Sequence, residues 1–386
     1  MRVAFSHLER QFANIDDYLD DIRDLVRTGD FTLGVALVEF ESRFAKSAGL
    51  PYAVGVGTGT DALALSLKIL GIGPGDEAIT TPTTFIATVG AIVMTGARPV
   101  FVDSEDGFVI DPSKIEAAIT PRTRAIVPVH YTGNVADMPA IMDVAQRHNL
   151  LVIEDACQAI GAALDGRPVG SWGEAAAFSL HPLKNLNVWG DGGVVVTRSP
   201  DLADRLRLYR NHGLANRDEA SMFGCNSRFD TLQAVVGNRL IDQTDFITRQ
   251  RMANARCYDE AFADLAPHVR LPRRRPGVRH VYHLYMIRAA RRDELLEHLV
   301  ANGVEAKIHY PVPVHLQEAA RFLGHKQGDF PVSEEDSRSV ITLPVHQHLT
   351  EDELQFTCEQ VRAFYRRSRV RRTLWNVGAC VPPPAG

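Results

Sequence analysis

Between about residues 50 and 245, short apolar runs rich in β-branched residues alternate with longer segments of helical periodicity. The run YAVGV precedes TDALALSLKIL, in which apolar residues recur at helical spacing, and EAITT precedes FIATVGAIVMTG. The strand pattern recurs in five later runs, which are RPVFVD, RAIVPVH, LLVIED, AAAFSL and GVVVT. Continuous apolar runs are typical of strands covered on both faces. The alternation therefore predicts an α/β fold, with a mostly parallel or mixed sheet that has helices on both sides.

The C-terminal part of the chain has a strand and helix pattern of its own. A long helical stretch, Thr231 to Leu265, leads out of the first region. The strand patterns YHLYMIRA and VEAKIHY follow it, together with the helical patterns RRDELLEHLVANG and TEDELQFTCEQVRAFYRRS. Both helical patterns begin with acidic residues, which the positive end of a helix dipole favours. We therefore expect a large domain with an N-terminal arm over residues 1–248 and a small C-terminal α/β domain over residues 249–386.

The charge balance and the cysteines argue against several classes of protein. With 42 basic and 47 acidic residues the formal net charge is −5, which gives no excess positive field for nucleic acid or an anionic membrane. The five cysteines are scattered without a CxxC pair, so neither a disulfide framework nor a metal site is predicted. The first residues lack the apolar stretch of a signal peptide, and no apolar run is long enough to span a bilayer. We therefore expect a cytoplasmic protein.

A glycine-rich turn, VGVGTGTDALAL, joins the first predicted strand to a helix. Glycines let the backbone approach an anion, and the helix N-terminus supplies amides without intrahelical acceptors, so the turn predicts a phosphate site. A plain turn capped by a threonine is one alternative. Another is the dinucleotide fingerprint, because Gly57, Gly59 and Ala62 fit its loose spacing. The acidic residue at the right distance, Glu77, precedes its strand instead of ending it, which makes a ribose contact poor.

Two further residues lie where chemistry is expected. Asp155 ends the apolar run LLVIED, where a buried carboxylate is costly unless it is paired, although it could also cap the next segment. Lys184 lies in FSLHPLKNLNVWGDGGVVVT, in which proline, asparagine and glycine indicate a tight turn. A lysine desolvated in such a turn is a nucleophile toward carbonyls, with a structural or surface lysine as the alternative.

The three features occur in an order that suits one cofactor, pyridoxal 5'-phosphate. Its phosphate requires an anion site such as the glycine turn, and its aldehyde forms a Schiff base with a lysine such as Lys184. Its pyridine nitrogen pairs with an acid such as Asp155, which keeps the ring protonated and able to accept electrons.

The sequence resembles the DegT/DnrJ/EryC1/StrS sugar aminotransferases over nearly its whole length, from FTLGVALVEFESRFA to about Tyr365. The resemblance rests on six motifs, which are GTGTDAL, EDACQAIGA, FSLHPLKNLNVWGDGG, RNHG, GCNSRFDTLQAVVG and HYPVPVHLQ. It implies a fold type I aminotransferase, with a mostly parallel seven-stranded sheet sandwiched by helices and a smaller α/β C-terminal domain.

The resemblance also implies roles for individual residues. Lys184 would hold the cofactor aldehyde and shuttle a proton, and Asp155 would pair with the pyridinium nitrogen. Gln158 would lie near the phenolic oxygen of the ring. Ser179 would bind the phosphate together with the turn of Gly59, Thr60 and Asp61.

Further residues are assigned to the ring, the neighbouring subunit and the substrate. Phe85 matches the aromatic residue that stacks on the ring, with a core aromatic as the alternative. Asn226 matches a residue that reaches the phosphate of a neighbouring subunit, which implies a homodimer with shared active sites. Tyr310 and His315 match the segment beside the substrate. Trp189 stands where many relatives have a small residue, so we expect it to shape the sugar pocket.

The implied activity moves an amino group from L-glutamate, or L-glutamine, to a keto-sugar for amino-sugar biosynthesis. The acceptor is expected to be nucleotide-linked, a 3- or 4-keto-6-deoxy hexose. Four alternatives stay open, which are a sugar dehydratase with the same cofactor, an aminotransferase for a cyclitol ketone, an NAD-dependent oxidoreductase and a ligand sensor without catalysis. The sequence leaves open which carbon is aminated.

Overall fold

The computed structural model describes residues 1–377, with side chains to residue 366, so the end of the predicted small domain (378–386) lies outside the described residues. The strands are, in chain order, β1 (Tyr52–Val56), β2 (Glu77–Thr80), β3 (Arg98–Phe101), β4 (Thr123–Ile126), β5 (Leu151–Asp155), β6 (Ala163–Leu164), β7 (Arg167–Pro168), β8 (Ala175–Ser179), β9 (Gly193–Thr197), β10 (Val269–Arg270), β11 (Val278–Arg279), β12 (Tyr285–Ala289) and β13 (Val340–Leu343).

The α-helices are α1 (Leu8–Gln11), α2 (Asp16–Thr28), α3 (Val35–Ser47), α4 (Gly59–Ile69), α5 (Ile86–Met94), α6 (Met138–His148), α7 (Pro200–Tyr209), α8 (Thr231–Leu240), α9 (Thr244–Phe262), α10 (Arg292–Ala301), α11 (Pro331–Ser339) and α12 (Glu351–Val377). Short 3-10 helices span Pro112–Lys114, Glu116–Ala118, Tyr131–Gly133, Ile241–Gln243, Val314–Leu316 and Glu318–Leu323. None of the helices in residues 1–377 combines the length and the apolar composition needed to cross a bilayer.

Seven strands form the central sheet in the order β1-β9-β8-β5-β4-β2-β3. Only β9 runs antiparallel to its neighbours, β1 and β8, and the other pairs are parallel. The predicted mostly parallel α/β sheet is therefore confirmed. Because β1, β8, β5 and β2 share one direction, the turns that follow them meet at the same edge of the sheet.

Side chains of the central strands alternate between two apolar cores, one on each face of the sheet. Val152 packs in one core and Ile153 in the other, and Ala176 and Ala177 alternate in the same way. Both faces are thus covered by helices, which explains why these strands read as continuous apolar runs.

The smaller unit has a three-stranded antiparallel sheet, β10-β12-β13, and a separate core to which α9, α10 and α12 contribute. Val3 also packs in that core and bridges to Val304, so the start of the chain contacts the smaller unit. Helix α9 crosses the predicted boundary at residue 248, and that boundary stays a prediction.

Two details of the predicted elements are wrong. The segment VEAKIHY makes only isolated bridges, Val304 to Val3 and Lys307 to Thr342, because its residues turn from one partner to another without forming a ladder. The long helical stretch from Thr231 is divided by the 3-10 turn Ile241–Gln243 into α8 and α9.

Candidate active site

A cavity of about 390 Å³ opens at the edge of the sheet where β1, β5 and β8 end. One side, called here the sheet wall, follows these strand ends and consists of Thr58, Gly59, Thr60, Asp155, Cys157, Gln158, Ser179 and Lys184. The opposite side, called the arm wall, comes from the N-terminal arm and the smaller unit and consists of Phe5, His7, Arg251, His283, His309, Tyr310 and His346. Thr84, Phe85 and Thr88, at the start of α5, line the space between them.

The N-terminus of α4 forms one end of the sheet wall. The Thr58 hydroxyl caps the helix by accepting a hydrogen bond from the amide of Asp61 (2.9 Å), whereas the amides of Gly59 and Thr60 lie in the first turn, where no intrahelical acceptor exists. A Cβ on Gly59 would stand 2.7 Å from the Cβ of Ser179, so only glycine lets Ser179 lie against the turn. The result is a concave group of amides and a hydroxyl, which suits a phosphate.

Asp155 ends β5 and is almost fully buried. Its Oδ2 accepts a hydrogen bond from Thr88 Oγ1 (2.6 Å), and its Oδ1 accepts one from the amide of Cys157 (3.1 Å). The preceding residue, Glu154, has its carboxylate held by His130 (3.0 Å) and by backbone amides. Glu154 is thus structural, while Asp155 lines the cavity.

Lys184 lies in the turn between β8 and β9. The turn is closed by a hydrogen bond from the amide of Leu180 to the carbonyl of Gly192 (2.9 Å), and Asn187 Nδ2 donates to the carbonyl of Lys184 (2.9 Å). Burial lowers the pKa of the Lys184 ammonium, and the Cys157 thiol and the Asp155 carboxylate offset part of that shift. A larger neutral fraction makes the amine a better nucleophile and base.

Three more of the predicted residues line the same cavity. Gln158 is held by a hydrogen bond from the amide of Thr132 to its Oε1 (2.7 Å). Phe85 caps the start of α5, is half exposed and has its ring centroid 5.8 Å from that of Tyr310. The structure therefore brings Phe85, Gln158 and Tyr310 together with Lys184 and Asp155.

Two predicted residues lie beside the site without lining it. The Asp61 carboxylate accepts a hydrogen bond from Ser227 Oγ (2.9 Å), on the far side of the α4 turn, so only the turn and not this side chain is part of the cavity. Asn226 is exposed and forms an isolated bridge with Asn211. Its exposure leaves it accessible to another subunit, and the predicted intersubunit contact stays a prediction.

Two residues predicted to contact the substrate, Trp189 and His315, do not line the cavity in this structure. The Trp189 ring packs against Phe12 and Tyr18, with centroids 5.6 and 5.4 Å away, and belongs to the core below the N-terminal arm. His315 is buried, and its Nε2 contacts Glu334 Oε1 (3.2 Å). Their predicted contacts with the substrate stay predictions.

The sequence did not reveal several groups that the structure places at the site. Thr88 donates a hydrogen bond to Asp155 and also contacts the hydroxyl of Thr84, four residues earlier. The spacing of these two threonines is the sequence pattern that could have indicated the contact. Arg251, His7 and His283 had no local signal, because they come together only through the packing of the arm on the smaller unit.

This sheet, with a lysine, a carboxylate and a helix N-terminus at one strand edge, places the protein in the class of fold type I aminotransferases. More particularly, the chain belongs to the DegT/DnrJ/EryC1/StrS aminotransferase family, whose family model matches residues 14–362. Enzymes of this family depend on pyridoxal phosphate.

Individual relatives match over almost the full chain. A dTDP-3-amino-3,4,6-trideoxy-alpha-D-glucose transaminase of Streptomyces venezuelae is 42% identical, over 95% of this chain and 97% of its own. A pleiotropic regulatory protein of Geobacillus stearothermophilus is 40% identical, over 95% of this chain and 99% of its own. The crystal structure of S. venezuelae DesV in complex with a ketimine intermediate superposes with a TM-score of 0.92 at 42% identity, covering 94% of this chain and 98% of that one.

Proposed function

We propose that this protein transfers an amino group from L-glutamate, or L-glutamine, to a keto-sugar with the help of pyridoxal phosphate. The observation that carries the proposal is the convergence of Lys184, Asp155 and the α4 N-terminus on one cavity. The proposed acceptor is a nucleotide-linked 3- or 4-keto-6-deoxy hexose. The name of the S. venezuelae transaminase supports this class, because it refers to a dTDP-linked 3-amino deoxy sugar.

The residues of the sheet wall fit the cofactor. The cradle left by the absent side chain of Gly59, with Ser179 beside it, would hold the phosphate, Asp155 would face the pyridine nitrogen, and Lys184 would face the aldehyde. When bound, pyridoxal phosphate supplies a carbonyl that takes up the amino group and a ring that withdraws electrons from the reacting carbon.

Lys184 is the group that moves protons. Its lowered pKa leaves part of the amine neutral, so it can remove a proton from the donor carbon that bears the amino group. It would return that proton to the cofactor carbon bonded to the same nitrogen. Asp155 supplies a carboxylate to the same cavity, and Thr88 fixes its orientation through a hydrogen bond to Oδ2.

The aromatic rings of Phe85 and Tyr310 enclose the side of the cavity away from the sheet. We extend the proposal to these rings as the surfaces that hold the cofactor and the sugar. Tyr310 is mostly buried, and burial raises the pKa of its hydroxyl to about 12, so this group acts as a neutral hydrogen-bonding group.

The proposal includes a homodimer. Large apolar side chains are exposed at Phe31, Val35, Val38 and Phe223, and the last is fully exposed. Large apolar side chains that are exposed in this way are typical of an interface. Phe223 lies three residues before Asn226, the residue predicted to reach the neighbouring subunit. Sedimentation of the holoenzyme is expected to give a dimer, and a monomer at micromolar concentration would remove this part of the proposal.

The position of Glu77 argues against the alternative that the glycine turn binds NAD. Glu77, the acid that would contact a ribose, lies at the start of β2, at the opposite edge of the sheet from the cavity. Its carboxylate is engaged by Arg122 Nη2 (2.6 Å) and by the Thr120 hydroxyl.

Two other candidates need an experiment. The dehydratase shares the cofactor, and a sensor without catalysis is favoured by the similarity to a pleiotropic regulatory protein. Purified holoenzyme is incubated with L-glutamate carrying an isotope-labelled amino nitrogen and with dTDP-linked, UDP-linked or cyclitol ketones. We expect the label in an amino-sugar product. Loss of water from the sugar without label transfer would indicate the dehydratase, and no product with any ketone would indicate a sensor.

A further inference from the structure

Arg251 is a buried cation in the cavity whose charge is not balanced by any described side chain. It lies on α9 with 2% of its surface exposed and belongs to the arm wall. Its Nε donates to Gln347 Oε1 (3.1 Å), and its Nη1 donates to the carbonyls of Tyr282 (3.1 Å) and His283 (3.3 Å). All of these acceptors are neutral, and no carboxylate among the described side chains forms an ion pair with the guanidinium. A buried charge without a counterion is costly, so an anion in the cavity is expected to complete the site.

The groups around Arg251 are imidazoles that stay neutral. Burial and, second to it, the charge of Arg251 lower the pKa of His7 to about 2 and that of His346 to about 4. Burial also lowers the pKa of His309 to about 4 and that of His283 well below its usual range. At neutral pH the arm wall therefore carries its positive charge on Arg251.

We infer that Arg251 binds a carboxylate of the amino donor, an inference that rests on the proposed transamination. The cofactor phosphate has its own site at the α4 turn, on the other wall. A diphosphate needs several donors, whereas the arm wall offers one guanidinium, whose planar fork matches a single carboxylate. Nη2 of Arg251 has no acceptor among the side chains and carbonyls of the described residues, so it is available to that ligand.

Hydrogen bonds connect Arg251 to the catalytic turn. Gln347, which accepts from Arg251, donates through its Nε2 to Gln11 Oε1 (2.9 Å). Gln11 Nε2 donates to Asn187 Oδ1 (2.9 Å), and Asn187 donates to the carbonyl of Lys184. A continuous series of hydrogen bonds thus joins the guanidinium to the backbone of the turn that carries Lys184. We expect the two groups together to select donors by the distance between their carboxylate and their amino group.

The first test is kinetic and compares Arg251→Gln with Arg249→Gln. Arg249 lies on the same helix, is exposed and pairs with Asp245 at the surface (3.3 Å), so it is a matched control. We expect Arg251→Gln to lower kcat/KM for L-glutamate by roughly 10- to 100-fold, mainly through KM, and to affect the half-reaction with the amino-sugar by a much smaller factor. L-glutamine shows which carboxylate of glutamate Arg251 binds, because it has an amide in place of the γ-carboxylate. If Arg251 binds the γ-carboxylate, the KM for L-glutamine should not change in the variant. If it binds the α-carboxylate, the KM for L-glutamine should rise as well. An unchanged KM for L-glutamate would overturn the inference.

The second test measures binding alone, with glutarate added to the holoenzymes in a thermal-shift titration. Glutarate is expected to stabilise the wild type and Arg249→Gln but not Arg251→Gln. Arg251→Lys, which keeps the charge and loses the planar fork, covers the case in which the glutamine variant does not fold, and is expected to bind glutarate roughly 10-fold more weakly. Wild-type affinity in Arg251→Lys, or stabilisation by pyrophosphate in place of glutarate, contradicts the carboxylate assignment. If the wild type binds glutarate yet transfers no amino group, the proposed function fails while this site stands.

Discussion

The sheet wall and the arm wall enclose the same cavity but are built in different ways. The sheet wall takes its groups from turns at neighbouring strand ends, and Gly59, Asp155 and Lys184 each lie in a short motif. The arm wall collects His7, Arg251 and other residues from distant parts of the chain. The sheet wall is fixed by the topology of the sheet, whereas the arm wall is completed by the packing of the arm on the smaller unit.

The walls also differ in charge. The sheet wall pairs a carboxylate with an amine of lowered pKa, which are groups that move protons and stabilise charge. The arm wall has neutral imidazoles and a single guanidinium. We propose that the chemistry belongs to the sheet wall and donor recognition to the arm wall. Variants of the sheet wall are then expected to reduce kcat, and variants of the arm wall to raise KM.

Removal of the catalytic amine is expected to have the largest effect. Lys184→Ala should lower kcat by roughly 100- to 10,000-fold, because no other described side chain in the cavity replaces the lysine as a proton carrier. The measurement is single-turnover transfer from L-glutamate. Lys68→Ala, on the exposed face of α4, is the control and should keep wild-type kcat. A kcat for Lys184→Ala close to that of the control would contradict the division of roles.

The next largest effect is expected from the carboxylate. Asp155→Asn should lower kcat roughly 100-fold with little change in the KM for L-glutamate, because it removes the negative charge that stabilises the reacting ring. Thr88→Val should act in the same direction but less strongly, since it frees one carboxylate oxygen. Steady-state kinetics check both, with exposed Asp143→Asn as control. A rise in KM at constant kcat would indicate that Asp155 binds the substrate, and would contradict the assignment of catalysis to the sheet wall.

Two glycines test the phosphate end of the sheet wall through stability. Gly59→Ala places a Cβ 2.7 Å from Ser179 and 3.0 Å from Cys157 Sγ, so it should destabilise the protein by about 1–3 kcal/mol and weaken cofactor binding. Gly90→Ala, inside α5 with nothing within 4 Å of the new Cβ, should stabilise it by about 0.5–1 kcal/mol. Urea unfolding gives both values, and equal effects at the two sites would show that the cradle is not tight.

The last prediction depends on pH and concerns the neutral imidazoles of the arm wall. His346 has a native pKa of about 4 and an unfolded pKa near 6.5, so between these values the unfolded state binds more protons and stability falls with falling pH. The fall is at most about 1.4 kcal/mol per pH unit for this group. His346→Gln should therefore lose less stability than the wild type between pH 6.5 and 4. Parallel urea curves at several pH values check this. Identical pH dependence for the two proteins would mean that folding does not lower the pKa of His346.

The sequence allowed the sheet wall to be predicted because its motifs are local. A strand end, a proline-glycine turn and a glycine-rich helix start each have a pattern, and their order along the chain placed Asp155, Lys184 and Gly59 together. The orientation of single side chains was less accessible. Asp61 is turned toward Ser227, and Trp189 fills a core beside Phe12, because packing partners far away in sequence decide both. No local pattern in the sequence marks Arg251, because its proposed role depends on its being buried without a carboxylate partner in the folded chain.

The most direct test of the account is the visible absorption of the purified holoenzyme on addition of L-glutamate without a keto-sugar. The wild type is expected to show the yellow band of the lysine-bound cofactor, to lose it with L-glutamate and to regain it with the keto-sugar acceptor. Lys184→Ala is expected to lack the band of the lysine-bound form. A wild type without a visible band, or a Lys184→Ala protein with the same band and the same response, would contradict the central claim that Lys184 and the sheet wall carry the amino transfer.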